Sequence, residues 1–363
     1  MLKNDKNEQL YNLLLLLNTT NLIFNWGTKV LNLLSNIDEL SKKLSAKEAA
    51  QLKNPDWGVV ERDLAWAEES GHRIITIYDA DYPPLLKEIQ DPPLVLFIIG
   101  DFTLLQAQQM AIVGSRNPTP IGIETAHNFA GHLARAGLVI TSGFAIGIDA
   151  ASHRGAIKAS GKTMAVMGAG LNCLYPSRHS LLAKEIVESG GVLLSEFPLN
   201  ASAKSWHFPL RNRIISGLSL GTLVVEATMQ SGSLITARLA GEQGREVFAI
   251  PGSIYNPAAR GCHHLIRQGA KLVEQPQDIL EEFSQVIANK ADAIFDTKNG
   301  KIKNKLDCEH KKLLDCMGFE VSSVDILAAR IGLPVAQVGV MLLELEIQGL
   351  IKSLVGGYSK ILE

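Results

Sequence analysis

A chain of 363 residues exceeds what one hydrophobic core usually organises, so two or three domains are expected. With 46% hydrophobic and 20% charged residues it can bury a sizeable core, which excludes a disordered chain. A formal net charge of −2 excludes a global basic field, so any nucleic-acid site must be a local patch.

The N-terminus opens MLKNDKNEQLYNLLLLLNTT, where the apolar run Leu13 to Leu17 is too short to span a bilayer. It lacks the basic n-region and small-residue cleavage site of a signal peptide. Residues 8 to about 70 read as helices: YNLLLLLN, then TKVLNLLSNIDELSKKL, then a stretch with Trp57, Leu64 and Trp66 at helical spacing. A helical domain over 1–75 is expected. HRIITIYDADYPPLLKEIQDPPLVLFIIGD follows, its apolar strands flanking Pro83-Pro84 and Pro92-Pro93, which force extended or turn backbone.

From Met110 to about Phe283, short apolar runs alternate with helical segments, the pattern of a mostly parallel sheet covered on both faces. The expected strands are MAIV, LVIT, MAVM, VLLS, TLVVE, EVFAI and KLV, in an α/β, Rossmann-like domain over 76–285. Residues 286–305 turn polar and read as a linker. Over 306–363 a helix, a helix-turn-helix and a hairpin turning at Gly356-Gly357 outline a winged helix.

In an open parallel sheet, ligands bind beyond the carboxyl ends of the strands. The unusual residues of this chain fall in that register. MAIV is followed by Gly114-Ser115-Arg116, LVIT by Ser142-Gly143-Phe144, MAVM by Gly168, and TLVVE by a loop carrying Ser231-Gly232-Ser233. Glycine lets the backbone approach an anion, a helix start offers N–H groups, and arginine adds a phosphate fork. Turn geometry explains one such loop equally well, but several in one topological position define an anion-binding rim. Arg211-Asn212-Arg213 open a further helix and, with Arg116, are expected to form a phosphate clamp. Phe144 and Phe208 are the candidates for base stacking. GSRNPTPIG does not match GxGxxG and no GxxxxGK[ST] occurs, so neither NAD nor ATP is expected.

Metal and hydrolase chemistry lack their patterns. Cys173, Cys262, Cys308 and Cys316 form no CxxC pair, and the scatter argues for a cytoplasmic protein without a disulfide framework. His153 and His263-His264 lack a convergent ligand spacing, so hydrogen bonding or capping is expected of them. GxSxG is absent from the loops at Ser142 and Ser231.

At these residues the sequence resembles the DNA-processing protein A family (DprA, also called Smf). The motifs are DxDYPPLL from Asp79, AIVGSR from Ala111, SGFAxGID from Ser142, AVMGAGLxxxYP from Ala165 and LSEFP from Leu194. FPLRNRIISGLS from Phe208, VVEAxxxSGSLITA from Val224 and VFAIPG from Val247 continue the series. The resemblance implies a cytoplasmic single-stranded-DNA-binding mediator that dimerises through its Rossmann-like domain and loads RecA during natural transformation, without catalytic activity, cofactor or membrane. It assigns Arg116, Arg211 and Arg213 to the DNA-binding face, and Gly114, Ser115, Ser142, Gly143, Ser231, Gly232 and Ser233 to the loops around it. Ile146 and Gln230 replace basic residues common in the family, which puts more weight on the three arginines. The helical region lacks the glycine-rich turn of a helix-hairpin-helix, with Phe24-Asn25-Trp26-Gly27 in its place. The proposed recognition helix, Pro334 to Gly349, carries Glu344 and Glu346 and no basic residue, so a protein contact is expected there.

The alternative is a nucleotide-processing enzyme. Gly221-Thr222-Leu223-Val224-Val225-Glu226 is similar to part of the PGGxGTxxE motif of nucleotide phosphoribohydrolases, which would give Glu226 a role in chemistry. Ser219-Leu220 here replaces the Pro-Gly-Gly portion.

Overall fold

The computed structural model describes residues 5–19, 45–54, 56–284, 308–317 and 321–360, in two compact units, Met1–Ala291 and Asp292–Glu363. The expected helix over 28–44, the Phe24–Gly27 turn and the 286–305 linker lie outside the described residues.

Among the described residues, nine strands form the sheet of the first unit. They are β1 (His72–Thr76), β2 (Val95–Gly100), β3 (Gln109–Val113), β4 (Val139–Ser142), β5 (Thr163–Val166), β6 (Val192–Ser195), β7 (Gly221–Val224), β8 (Glu246–Ala249) and β9 (Lys271–Leu272). Their order is β1-β2-β6-β5-β4-β3-β7-β8-β9. Strands β3 to β9 pair in parallel, while β1 and β2 run antiparallel to each other and β2 antiparallel to β6. All seven runs expected in the parallel part become strands, within a residue or two of the expected ends.

The order matters for function. From β3 the chain steps outward through β4, β5 and β6 on one side, then returns to place β7, β8 and β9 on the other. Neighbouring strands β3 and β7 therefore send their crossovers in opposite directions, and the crevice at their carboxyl ends is the topological switch point. Local chemistry fixes the helix that leaves β3. Pro120 sits in the first turn of Pro120–Arg135, where its missing N–H costs nothing, and the Thr119 hydroxyl accepts from Gly122 N at 3.0 Å.

The expected boundary at residue 75 does not separate two cores. Strand β1 straddles it, and Leu13, Leu14 and Leu16 of the helix Asp5–Thr19 are buried with Val60 and Trp66 in the same apolar cluster as Ile75, Leu96 and Phe97. Trp66 stacks on His72 with ring centroids 4.4 Å apart and meets Phe97 edge-on. The helix of the leucine run packs on helices Ala46–Lys53 and Trp57–Ala67, and the second of these packs on β1.

In the second unit, helices Cys308–Cys316, Val324–Ile331 and Val335–Ile347 precede a hairpin of β10 (Ile351–Leu354) and β11 (Gly357–Lys360). Leu313, Leu327, Val338, Leu342, Leu345 and Ile351 form its core. The order of three helices and a two-stranded wing is that of a winged helix. Among the described residues no single helix is long and apolar enough to cross a membrane.

Candidate nucleic-acid interface

Gly114 stands where β3 meets its neighbour across the switch point. A Cβ there would lie 2.6 Å from the Ile148 side chain and 3.0 Å from the Glu226 carbonyl oxygen, so only glycine lets the loops after β3, β4 and β7 close together. Ser115 N donates to that same carbonyl at 2.7 Å, and Ser115 O accepts from Ile148 N. Arg116 is left exposed at the centre of the rim.

Its guanidinium lies 5.3 Å from the centroid of the Phe208 ring, within cation–π range. Phe208 is half-buried and lies against Gly168, where a Cβ would come within 2.9 Å of the ring. Gly168 thus serves as the seat of an aromatic ring. Tyr175, 52% exposed, places its ring 5.7 Å from that of Phe208. Lys204 lies 5.9 Å from the exposed Trp206 ring, just before Phe208 in the chain. The rim above β3, β4 and β5 therefore presents a cation and adjoining aromatic faces to solvent, the pairing that holds a nucleic-acid backbone and unstacked bases.

The other expected contacts do not reach this surface. Arg211 is 4% exposed, and its guanidinium donates to the carbonyls of Gly143 and Val166, tying together the ends of β4 and β5. Burial lowers its pKa to about 10 against the opposing pull of Asp149, so it stays a cation at neutral pH. Burial raises the Asp149 pKa, while Arg211 and the Ala145 N–H lower it. Arg213 forms a buried two-pronged ion pair with Glu196, both N–O distances 2.6 Å, and its Nε donates to Asp91 O at 2.8 Å. The clamp of three arginines is thereby corrected: one is exposed, and two are internal because buried carbonyls and a buried carboxylate satisfy them.

Ser142 and Phe144 are corrected for the same reason. The Ser142 hydroxyl is buried and donates to Ile112 O at 2.6 Å. Phe144 has a left-handed backbone, φ 59°, and its ring packs inward at 5.3 Å from the His179 ring, 1% exposed and out of reach of a base. Gly143 is buried too. Its role is clearance, since a Cβ there would lie 2.8 Å from both Arg211 and Asp149. Asn212 is also interior: its Oδ1 accepts from Arg211 Nε and its Nδ2 donates to Gly232 O, linking the Phe208 helix to the loop after β7. In that loop Gly232 is exposed, Ser231 half-buried and Ser233 buried, with the two serine hydroxyls 2.7 Å apart at the start of helix Ser233–Glu242.

Glu226 follows β7 and is spoken for. Its carboxylate accepts from Thr119 N at 2.9 Å and from the Thr119 hydroxyl at 2.6 Å, over the start of helix Pro120–Arg135. A Cβ on Gly122 would strike it at 2.5 Å. This is a helix-terminal anchor, which helix N–H groups and dipole favour. Among the described residues no three His, Cys, Asp or Glu side chains are grouped to hold a metal. His153 is buried and hydrogen-bonded to Thr163, and His263 to Gly252.

Tyr175, Trp206 and Lys204 stand at the candidate site and were left out by sequence reasoning. Tyr175 belongs to the AVMGAGLxxxYP motif, where an aromatic before proline reads as turn chemistry. Lys204 and Trp206 precede the FPLRNR motif and match no pattern by themselves.

Residues 73–284 match the family model of DNA recombination-mediator protein A, and residues 302–357 that of the DprA winged helix domain. Protein Smf of Escherichia coli is 44% identical over 302 residues, 83% of this chain and 81% of that protein. The X-ray structure of DNA processing protein A from Streptococcus pneumoniae is 36% identical with a TM-score of 0.63, covering 77% of this chain and 98% of that one. The Helicobacter pylori protein, whose structure was described for its single-stranded DNA binding mode, is 28% identical with a TM-score of 0.53, covering 59% and 96%.

Proposed function

The chain belongs to the DNA recombination-mediator protein A family, and from that membership we propose that it binds single-stranded DNA along the rim of its parallel sheet and passes the strand to a RecA recombinase. In this reading it protects incoming DNA in the cytoplasm during transformation and recombination, works as a homodimer through the Rossmann-like domain, and catalyses no reaction. The observation that carries the reading is Arg116, exposed at the switch point with its guanidinium over the Phe208 ring and Tyr175 beside it. Phosphates meet Arg116 and the turns at Gly114-Ser115 and Ser231-Gly232-Ser233, while unstacked bases meet the aromatic rings. The Helicobacter pylori relative supports the choice of single strands by what its structure was solved to describe.

The test is a salt titration of binding to oligo-dT and to a duplex of equal length. Wild type is expected to prefer the single strand, with log K falling linearly against log salt. Arg116→Ala is expected to weaken binding and to flatten the slope by about 0.7 for each phosphate that it no longer neutralises. An unchanged slope and affinity would remove Arg116 from the site.

A further inference from the structure

Above β7 and β8 the same rim carries a second group of solvent-facing side chains. Tyr255 is 86% exposed, Ile254 70% and Met229 50%, with Arg260 exposed beside them in sequence. Scattered apolar residues on a surface need no explanation, but three in two neighbouring loops form a patch. The two loops are physically joined: Ala227 N donates to Ala258 O and Gly261 N to Ala227 O, each at 2.7 Å.

The turn that holds Tyr255 is built to stay put. Tyr255 N donates to the Ser253 hydroxyl at 3.3 Å, Asn256 N to Ser253 O at 3.0 Å, Ala258 N to Asn256 Oδ1 at 2.9 Å and Ala259 N to Asn256 O at 3.0 Å. Gly252 gives the turn clearance, because a Cβ there would come within 2.8 Å of Ala259 Cβ. A pinned backbone that projects an aromatic ring into water gives that ring a fixed position at low entropic cost, which suits a stacking surface.

Continuity with the first group identifies the ligand. In strand order the rim runs from Phe208, seated on Gly168 after β5, past Arg116 after β3 and Ser231-Gly232-Ser233 after β7, to Tyr255 after β8. Four strand steps at about 4.8 Å each separate the ends, about 19 Å. That length matches roughly six nucleotides at the stacked rise of 3.4 Å, and fewer when the strand is extended. We propose that Tyr255 is a second base-stacking post, with Ile254 and Met229 flanking it and Arg260 at its phosphate side, and that it marks the far end of a single-stranded DNA path starting at Phe208. The inference rests on the single-strand reading of the rim given above.

Length dependence tests it. Fluorescence anisotropy with fluorescein-labelled oligo-dT of 3, 6, 9 and 12 nucleotides is measured on the full chain carrying Tyr255→Ala, Tyr255→Trp or Arg116→Ala. Tyr255→Ala is expected to lose about 5- to 150-fold in affinity for the longer oligonucleotides, the range set by one base–aromatic stack, and to leave the trinucleotide unaffected. Tyr255→Trp is expected to keep wild-type affinity and to gain a tryptophan fluorescence quench with the longer strands only. Equal affinity of Tyr255→Ala and wild type at every length overturns the inference, as does a Tyr255→Trp signal blind to DNA. A change of oligomeric state in Tyr255→Ala with DNA affinity intact overturns it in favour of a protein-contact surface. Loss of binding in Arg116→Ala at all lengths, with Tyr255→Ala unaffected, refutes only the far post. An unaffected Arg116→Ala refutes the reading beneath it.

Discussion

Replacing Arg213 by methionine separates a structural arginine from a DNA-binding one. In wild type its guanidinium satisfies both oxygens of Glu196, at 2.6 Å each, and the carbonyls of Asp91 and Leu210, at 2.8 Å each. The Glu196 side chain is 2% exposed, so Arg213→Met leaves a buried carboxylate without the cation that pairs with it. Breaking one side of such a pair costs about 3–5 kcal/mol, whereas replacing both partners by apolar residues of similar volume is close to neutral. Over a compact unit of Met1–Ala291 this corresponds to a fall in Tm of roughly 6–10 °C. The assay is thermal and urea unfolding followed by tryptophan fluorescence. The four tryptophans of the chain, Trp26, Trp57, Trp66 and Trp206, all precede residue 292 in sequence, so the signal carries nothing from the second unit. The double variant Glu196→Leu/Arg213→Met is expected to regain most of the lost stability, and both variants to bind oligo-dT with the wild-type salt slope below their transitions. An Arg213→Met protein with unchanged Tm but a flattened salt slope would refute this assignment and return Arg213 to the phosphates.

Two further outcomes follow from buried groups on the same unit. His153 hydrogen-bonds Thr163 Oγ1, whose own proton goes to Ile140 O, so Nδ1 carries the hydrogen and the buried Nε2 has no partner among the described residues. Burial lowers its pKa to about 3, with the nearby charges of His179, Arg154 and Arg211 acting in the same direction. The unfolded chain therefore takes up a proton near pH 6.5 that the folded chain refuses, and stability is expected to fall by about 1.4 kcal/mol per pH unit below that point. Urea unfolding from pH 7 to 4 measures it, and an equal pH slope in His153→Gln would rule the histidine out as the cause. Glu226→Gln loses the charged acceptor of two Thr119 hydrogen bonds and is expected to cost about 1–3 kcal/mol in stability. The wild-type protein is expected to release no free base from nucleoside monophosphates; turnover abolished by Glu226→Gln would restore the enzymatic alternative.

The parallel part of the sheet was legible because strands buried on both faces read as unbroken apolar runs, and MAIV, LVIT, MAVM and VLLS carry no charged interruption that would hide them. The direction of β2 was not, since VLFIIG has the same composition whichever way it pairs. Likewise LLLLL of the first helix could be read as helix but not as part of the sheet's core. Which cluster a buried leucine joins is decided by tertiary packing, and the segment itself has no periodicity to point with.

The arginines show the limit more sharply. A sequence displays the charge of an arginine but not the group that answers it, and the partner of Arg213 lies 17 residues upstream in the LSEFP motif. The available signal was Glu196 itself, an acid at the end of an apolar strand, which demands a cation wherever it is buried. Arg211 has no single acid as its main contact. Two carbonyls hold it, from Gly143 and Val166, and no side-chain pattern announces a carbonyl.

The three arginines nonetheless form one device. Arg213 fixes the Phe208 helix to β6 through Glu196, and Arg211 fixes the ends of β4 and β5 beneath that helix. Together they set where Gly168 and Phe208 meet, and so where Arg116 finds an aromatic face. Arg211 also acts through its charge, which lies close enough to Arg116 to oppose its own protonation. With a pKa of about 10 it remains a cation at pH 7, in an interior that screens it far less than water does. Asp149 lies on the same buried side and answers the charge of Arg211, so in a chain of net charge −2 the solvent-facing positive charge of this rim comes from Arg116 and Lys204. Exposed cations, Arg116 and Lys204 at this rim, are the ones that can release counterions from a phosphate. In our reading, salt dependence therefore belongs to Arg116 and the exposed Lys204 and Arg260, while Arg211 and Arg213 govern whether the partner ring of Arg116 is in place.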